Sequence, residues 1–165
     1  MRLKINQQGL PYLITGSLVA LILGIMVTIL IPALGAPGPT TLAHVYDDEE
    51  LRGRMIYQRE GCWYCHTQQV RAPEAGLGTV LIKGDIGPES LAGDYAFQQP
   101  VFWGTERQGP DLSHVASRPY GAVKEWHIAH LKDPHIINPG SVMPSFAHLP
   151  DDELEALAAY LLTLK

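Results

Sequence analysis

At 165 residues the chain has room for one domain of ordinary size and some remainder. Its formal net charge is −5, but Arg2 and Lys4 lie at the start, so the rest sets ten basic residues against seventeen acidic ones, a formal −7. That surface argues against nucleic acid as a partner, and suits either plain solubility or the steering of a basic protein.

From Ile5 to Val45 there is no Asp, Glu, Lys or Arg, and Leu10 to Leu34 is almost wholly apolar. As a helix this run is about 37 Å long, enough for a hydrocarbon core of roughly 30 Å. Pro11 suits its first turn, and Pro32 is expected to stop or kink it. The basic residues before it and the acids after it put residues 1–9 in the cytoplasm and the bulk outside. A cleaved signal peptide is the rival reading, since "ALGA" (Ala33–Ala36) resembles a processing site, but the apolar run is longer than the usual 7–15 residues. Either reading exports the rest. The expected organisation is therefore a cytoplasmic N-terminus at 1–9, a transmembrane anchor at 10–34, a Pro/Gly-rich linker at 35–46 and a folded domain at 47–165.

Within that domain, Asp47 or Asp48 caps a predicted helix through about Gln58, with acids in the first turn and arginines later. Ala72 to Pro100 reads mostly as loop, with "TVLI" (Thr79–Ile82) as one hairpin arm. "AVKEWHIAHL" (Ala122–Leu131) predicts a short helix ended by Pro134. From Asp151 a last helix presents Leu154, Leu157, Ala158, Leu161 and Leu162 on one stripe. No alternation of strand and helix appears. The fold class expected is mainly α, with long Gly/Pro-rich loops.

The two cysteines of the chain stand in "EGCWYCHTQQ" (Glu60–Gln69). Three chemistries use this spacing. A thiol–disulfide site needs an α/β setting, which the pattern lacks. A zinc site needs four ligands, and no second cluster has finger-like spacing. Covalent attachment of haem c needs two thiols on one side of a helical turn, which i and i+3 supply, and an axial nitrogen directly after, which is His66. The sixth ligand then has to come from Met55, Met143 or one of the histidines at 44, 114, 127, 130, 135 and 148. Met143 stands out in "PGSVMPSF" (Pro139–Phe146), where Pro144 would hold the loop extended. Met55 reads as packing on its helix, and His127 and His130 as one helical face.

With these residues in view, the exported part resembles a class I cytochrome c. Gly53 and Tyr57 match the spacing of its first helix, and Tyr160 stands where that class packs an aromatic of the last helix across the first. In "GPDL", Pro110 resembles the proline whose carbonyl accepts a bond from the proximal imidazole. More narrowly, "GCWYCHTQQVR", "GDYAFQQPVFWGTERQGPDL" and "EWHIAHLKDP" resemble the mono-haem FixO-type cytochrome c subunit, subunit II, of cbb-type haem-copper oxidases. Two features depart from that pattern: Glu74–Ser90, and the short "PSFAHLP" between Met143 and the last helix.

The resemblance implies one covalent haem c on Cys62 and Cys65, with His66 and Met143 on the iron. Arg71 and Arg107 would then serve the propionates, with Trp103 and Trp126 as pocket walls; solvated surface and ordinary core are the plainer readings of these four. It further implies an electron-transfer subunit with no bond chemistry of its own. Its partners would be an integral-membrane catalytic oxidase subunit, other cytochrome c subunits, and a donor cytochrome or quinol-side complex. The place would be the bacterial cytoplasmic membrane, single-pass, with the haem domain on the periplasmic face. A free-standing membrane-anchored cytochrome c is the alternative, and a CxxC thiol enzyme the distant one.

Overall fold

The computed structural model describes residues 9–76, 86–104 and 106–165, and the chain divides into two units, Met1–Gly38 and Pro39–Lys165. Among its described residues the first holds one helix, α1 (Gly9–Leu34), with a mean hydropathy of 2.6 and no buried residue. A run of aliphatic side chains without a charge satisfies its backbone internally, as a membrane span must. Pro11 sits in the first turn, where its missing N–H is not needed. Pro32 neither stops the helix nor stands alone as a kink. The turn before it, Met26–Leu30, widens to π geometry, and Thr28 Oγ1 donates to the Gly24 carbonyl at 2.7 Å. The helix then continues to Leu34.

Among the described residues the second unit is built on three α-helices, α2 (Asp48–Arg59), α3 (Lys124–Lys132) and α4 (Asp151–Leu162), joined by loops with single 3₁₀ turns. No strand occurs among the described residues, and Thr79–Ile82, read as a hairpin arm, lies outside them. Part of the stretch read as a linker is held by this unit: Thr40 donates through its amide to the Gly93 carbonyl at 3.3 Å, and Tyr46 packs on Tyr160 at 5.8 Å.

Asp47 caps α2 through a reciprocal box. Its carboxylate accepts from the Glu50 amide at 2.8 Å, and Glu50 accepts from the Asp47 amide at 2.9 Å. The helix buries Gly53, Arg54, Ile56 and Tyr57. Met55, expected to pack, is instead 57 % exposed, because it falls on the opposite face from Ile56 and Tyr57. Arg54 is the unexpected member of the buried face. Its guanidinium donates to the Gln99 and Pro100 carbonyls and lies 4.3 Å from the centre of the Phe102 ring.

α4 buries Leu154, Leu157, Ala158 and Leu161 together with Ala156 and Tyr160, while Leu162 is half-exposed. The apolar stripe is thus turned towards Tyr160, which faces α2. At the crossing, a Cβ on Gly53 would overlap the Ala156 carbonyl and meet Cβ of Tyr160. Only glycine lets the two backbones come so close. Tyr57, Phe102, Leu131, Leu149 and Leu157 complete one core around the crossing, and Met143 packs against it from the side. Arg52–Asp152 and Arg59–Glu153 pair across the exposed rim, where such pairs add little.

Gly53→Ala is expected to destabilise the domain by about 1–3 kcal/mol, because the added methyl has nowhere to go. Chemical denaturation of the full chain in detergent measures this; an unchanged midpoint would remove the crossing from its central position.

Candidate functional site

α2 ends at Arg59, and two residues on, the left-handed backbone of Gly61 (φ 72°) swings the chain into the turn Cys62–Tyr64. The amides of Cys65 and His66 both donate to the Cys62 carbonyl, at 3.2 and 3.0 Å. Cys62, Cys65 and His66 therefore occupy one helical turn, and both thiols are free.

The chain then runs beside 102–104 and 109–112. Gly109 donates to the Cys65 carbonyl at 3.0 Å, Leu112 to the Thr67 carbonyl at 2.8 Å, and Gln68 to the Phe102 and Trp103 carbonyls at 3.2 Å each. This pairing brings the Pro110 carbonyl oxygen to 2.8 Å from His66 Nδ1. A carbonyl only accepts, so Nδ1 carries the hydrogen. Loss of water around the ring lowers the pKa of this imidazole, against the pull of that bond and of Asp111. In the neutral ring Nε2 then holds a lone pair, the state of a metal-binding histidine. A Cβ on Gly109 would overlap the ring, so this glycine admits the imidazole.

Two free thiols on one turn followed by an oriented imidazole fit covalent haem. They fit the rival chemistries less well. Burial pushes the Cys62 thiol up to about 12, far from the low-pKa thiolate of a redox enzyme. Among the described residues no group of three or more His, Cys, Asp or Glu side chains gathers as a metal site.

The family described as cytochrome c oxidase, mono-haem subunit/FixO, matches residues 4–163. The chain belongs to the FixO family. It is thereby an electron-transfer subunit of a cytochrome c oxidase, a haem protein that works with a membrane catalytic subunit, and its N-terminal apolar helix suits membrane anchoring. No curated protein sequence matches it.

The remaining candidates of this FixO chain fall into separate places. Arg71 and Trp103 border one cleft of about 480 Å³ that also touches Trp63 and Tyr64. Trp103 is 49 % exposed and meets Tyr95 edge-on at 5.9 Å. Arg71 lies 3.5 Å from Glu74. Trp126 is on α3, stacked on His130 at 4.9 Å and packed on Tyr120 at 4.7 Å. His130 has its pKa lowered by burial, then by His66 and His127. His127 is used structurally, its Nε2 2.7 Å from the Gly121 carbonyl. Met143 is half-buried; its amide donates to Ser141 Oγ at 3.1 Å, and the Phe146 amide bonds the Leu131 carbonyl at 2.8 Å just beyond.

Arg107 is turned inward. It donates to Thr67 Oγ1 at 2.5 Å, to the Gln69 carbonyl at 2.7 Å and to Glu74 at 2.8 Å, and lies 3.4 Å from Asp111. This ion pair and hydrogen bond hold the Glu74 carboxyl below its ordinary range. Asp111 itself is 1 % exposed, and sequence reasoning passed over it. One carboxylate oxygen accepts from Thr67 Oγ1 and from the Gln69 amide at 3.0 Å, and the other accepts from the Ser113 amide at 2.8 Å. Buried Arg118 donates to the Asp111 carbonyl at 2.6 Å. Asp111 thus clamps the two strands of chain that carry His66 and Pro110. The only signal in the sequence was its place in "GPDL".

Asp111→Ala is expected to cost more than about 3 kcal/mol, since it strands two amides, a hydroxyl and part of the Arg107 charge. Asp111→Asn, which keeps one acceptor, should lose less. Denaturation midpoints of the two variants give the order; equal midpoints would mean that the clamp is not electrostatic.

Proposed function

We propose that this subunit carries one haem c, joined by thioethers to Cys62 and Cys65 with His66 and Met143 as axial ligands, and relays single electrons to the haem-copper catalytic subunit of a cbb-type oxidase. The observation that carries the reading is the His66–Pro110 bond beside the cysteine turn, because it leaves Nε2 as the free donor of an already oriented ring. Bound haem supplies a one-electron iron couple. The chain's part is to hold it. Cys62 and Cys65 anchor it, Pro110 fixes the imidazole, and the Asp111 clamp keeps Pro110 in place.

Met143 is favoured as the second ligand by contrast with Met55: the first is half-buried against the core and the second faces water. Arg107 is better read as part of the Asp111 clamp, because its described bonds are to the protein, while exposed Arg71 keeps the propionate role. Trp126, stacked on His130 near the turn, suits a pocket wall better than the more exposed Trp103. With His66 and Met143 both holding the iron, haem would leave no open place for a substrate, and the subunit would perform no bond chemistry of its own. Arg2 and Lys4 keep the N-terminus cytoplasmic, so the haem domain works at the periplasmic face of the bacterial membrane. The family match favours an oxidase subunit over a free-standing shuttle. Purification in mild detergent parts these two, and a chain that runs without a multi-span partner would overturn the subunit role.

A haem stain on a denaturing gel should mark the wild-type band and vanish in Cys62→Ala/Cys65→Ala, since a thioether alone survives denaturation. An unstained wild-type band would end the covalent assignment. Met143→Ala should keep the stain and let carbon monoxide bind the reduced iron, with Met55→Leu unchanged in both respects. Carbon monoxide binding in Met55→Leu but not in Met143→Ala would reverse the ligand assignment.

A further inference from the structure

The loop that carries Met143 is tied to the end of α3, and one side chain in that tie has no part in the function proposed above. α3 ends against Asp133 and Pro134. Pro134 has no N–H to return to the His130 carbonyl. The His135 amide is taken by the Asp133 carboxylate at 3.0 Å, and the Ile136 amide by the Asp133 carbonyl at 3.2 Å. The amides that would continue the helix are therefore spent, and the Leu131 and Lys132 carbonyls are left for partners from elsewhere in the chain. Residues 145 and 146 supply them. The Phe146 amide donates to the Leu131 carbonyl at 2.8 Å, and the Ser145 hydroxyl donates to the Lys132 carbonyl at 2.6 Å. Ser145 Oγ also accepts from the Ala147 amide at 3.2 Å, so the hydroxyl is held from both sides.

Met143 stands two residues before Ser145, with Pro144 between them fixing one backbone angle. On its other side the loop is held by bonds to itself. The Met143 amide donates to Ser141 Oγ at 3.1 Å, the Ser141 amide to the Asn138 carbonyl at 2.9 Å, and the Gly140 amide to Asn138 Oδ1 at 3.1 Å. Those bonds shape the loop but do not moor it. Mooring comes from the two bonds to α3 and from packing, since Phe146 is buried and Met143 lies against the same core. The Phe146 amide would be offered by any residue except proline. The Ser145 hydroxyl is the part of the tie that needs a particular side chain, and Ser145 is exposed, so core packing does not account for it.

We propose that Ser145 is a positioning residue for Met143: its bond to the Lys132 carbonyl caps α3 from outside and keeps the loop where the thioether stays on a haem iron. This rests on Met143 as an axial ligand. The hydroxyl acts through the loop and touches neither iron nor haem. A loop that swings the thioether away has to break the bonds at 145 and 146, so loss of one makes the swing easier by the worth of that bond. Water competes for an exposed hydroxyl, which sets the effect in the lower part of the range for a hydrogen bond, about 2–5-fold in the on–off balance.

The test titrates the oxidised, haem-loaded full chain in detergent with imidazole, which binds the iron only when Met143 has left it. Binding is read from loss of the weak sulfur-to-iron absorption at the red end of the spectrum. Ser145→Ala should bind imidazole about 2–5-fold more tightly than wild type. Ser145→Thr keeps the hydroxyl and should match wild type, as should Val142→Ala, a change at an 80 % exposed neighbour on the other side of Met143. An unchanged affinity in Ser145→Ala overturns the proposal, and a lowered Tm without a change in affinity does so too, because it shows a role in stability alone. An equal rise in Ser145→Thr or Val142→Ala also overturns it. Met143→Ala separates this failure from that of the ligand assignment: if it binds imidazole no more tightly than wild type, Met143 is not the ligand and both readings fall.

Discussion

Because Gly53 has no Cβ, α2 presses its backbone against the Ala156 carbonyl and Tyr160 of α4, and the position of the cysteine turn follows from that contact. α2 leads through Gly61 directly into Cys62, so fixing α2 fixes the first anchor point. Tyr160 reaches from the same crossing to Gln68, two residues beyond His66, and so holds the far end of the turn from the other side. A short, loop-rich domain has little apolar area to spend, and one close crossing gives it a rigid frame at small cost in chain.

The site is assembled by hydrogen bonds between loops more than by helices. His66 takes its orientation from Pro110, and Pro110 takes its position from the pairing of 65–69 with 102–103 and 109–112. A buried carboxylate, Asp111, stands at the centre of that pairing and is compensated by Arg107 and by backbone amides. Buried charge is costly unless every lone pair is used, and here most are. The arrangement rewards geometry over raw stability, which suits a protein that must hold an imidazole in one direction while an electron passes.

α1 shows how composition and context divide the work in the anchor. A proline within an apolar helix was expected to stop or kink it, yet the helix absorbs Pro32 by widening one turn, with Thr28 bonding back to Gly24. Helical hydrogen bonding propagates around a single missing donor when the neighbours have no better alternative, and an aliphatic run has none.

Local patterns in the sequence determined a good deal. The apolar run, the Asp47 cap, the 3.6-residue stripe of α4 and the i, i+3 cysteines followed by His66 are each short-range features, legible because neighbours in sequence are neighbours on a helix. What only the tertiary structure decided is what joins residues far apart, Arg54 buried over Phe102 and Arg107 drawn to Thr67, Gln69 and Glu74, and which methionine meets the core. Arg107 was read as a propionate partner or as solvated surface, and Arg54 only as part of the charge pattern of its helix, because a charge is buried only where distant partners are brought to it. Met55 and Met143 have the same side chain, and their difference is one of place. Periodicity reports which face of a helix is apolar, but loop pairing, the partners of a buried charge and the shape of a pocket arise from contacts across dozens of residues, for which a single sequence carries no local signal.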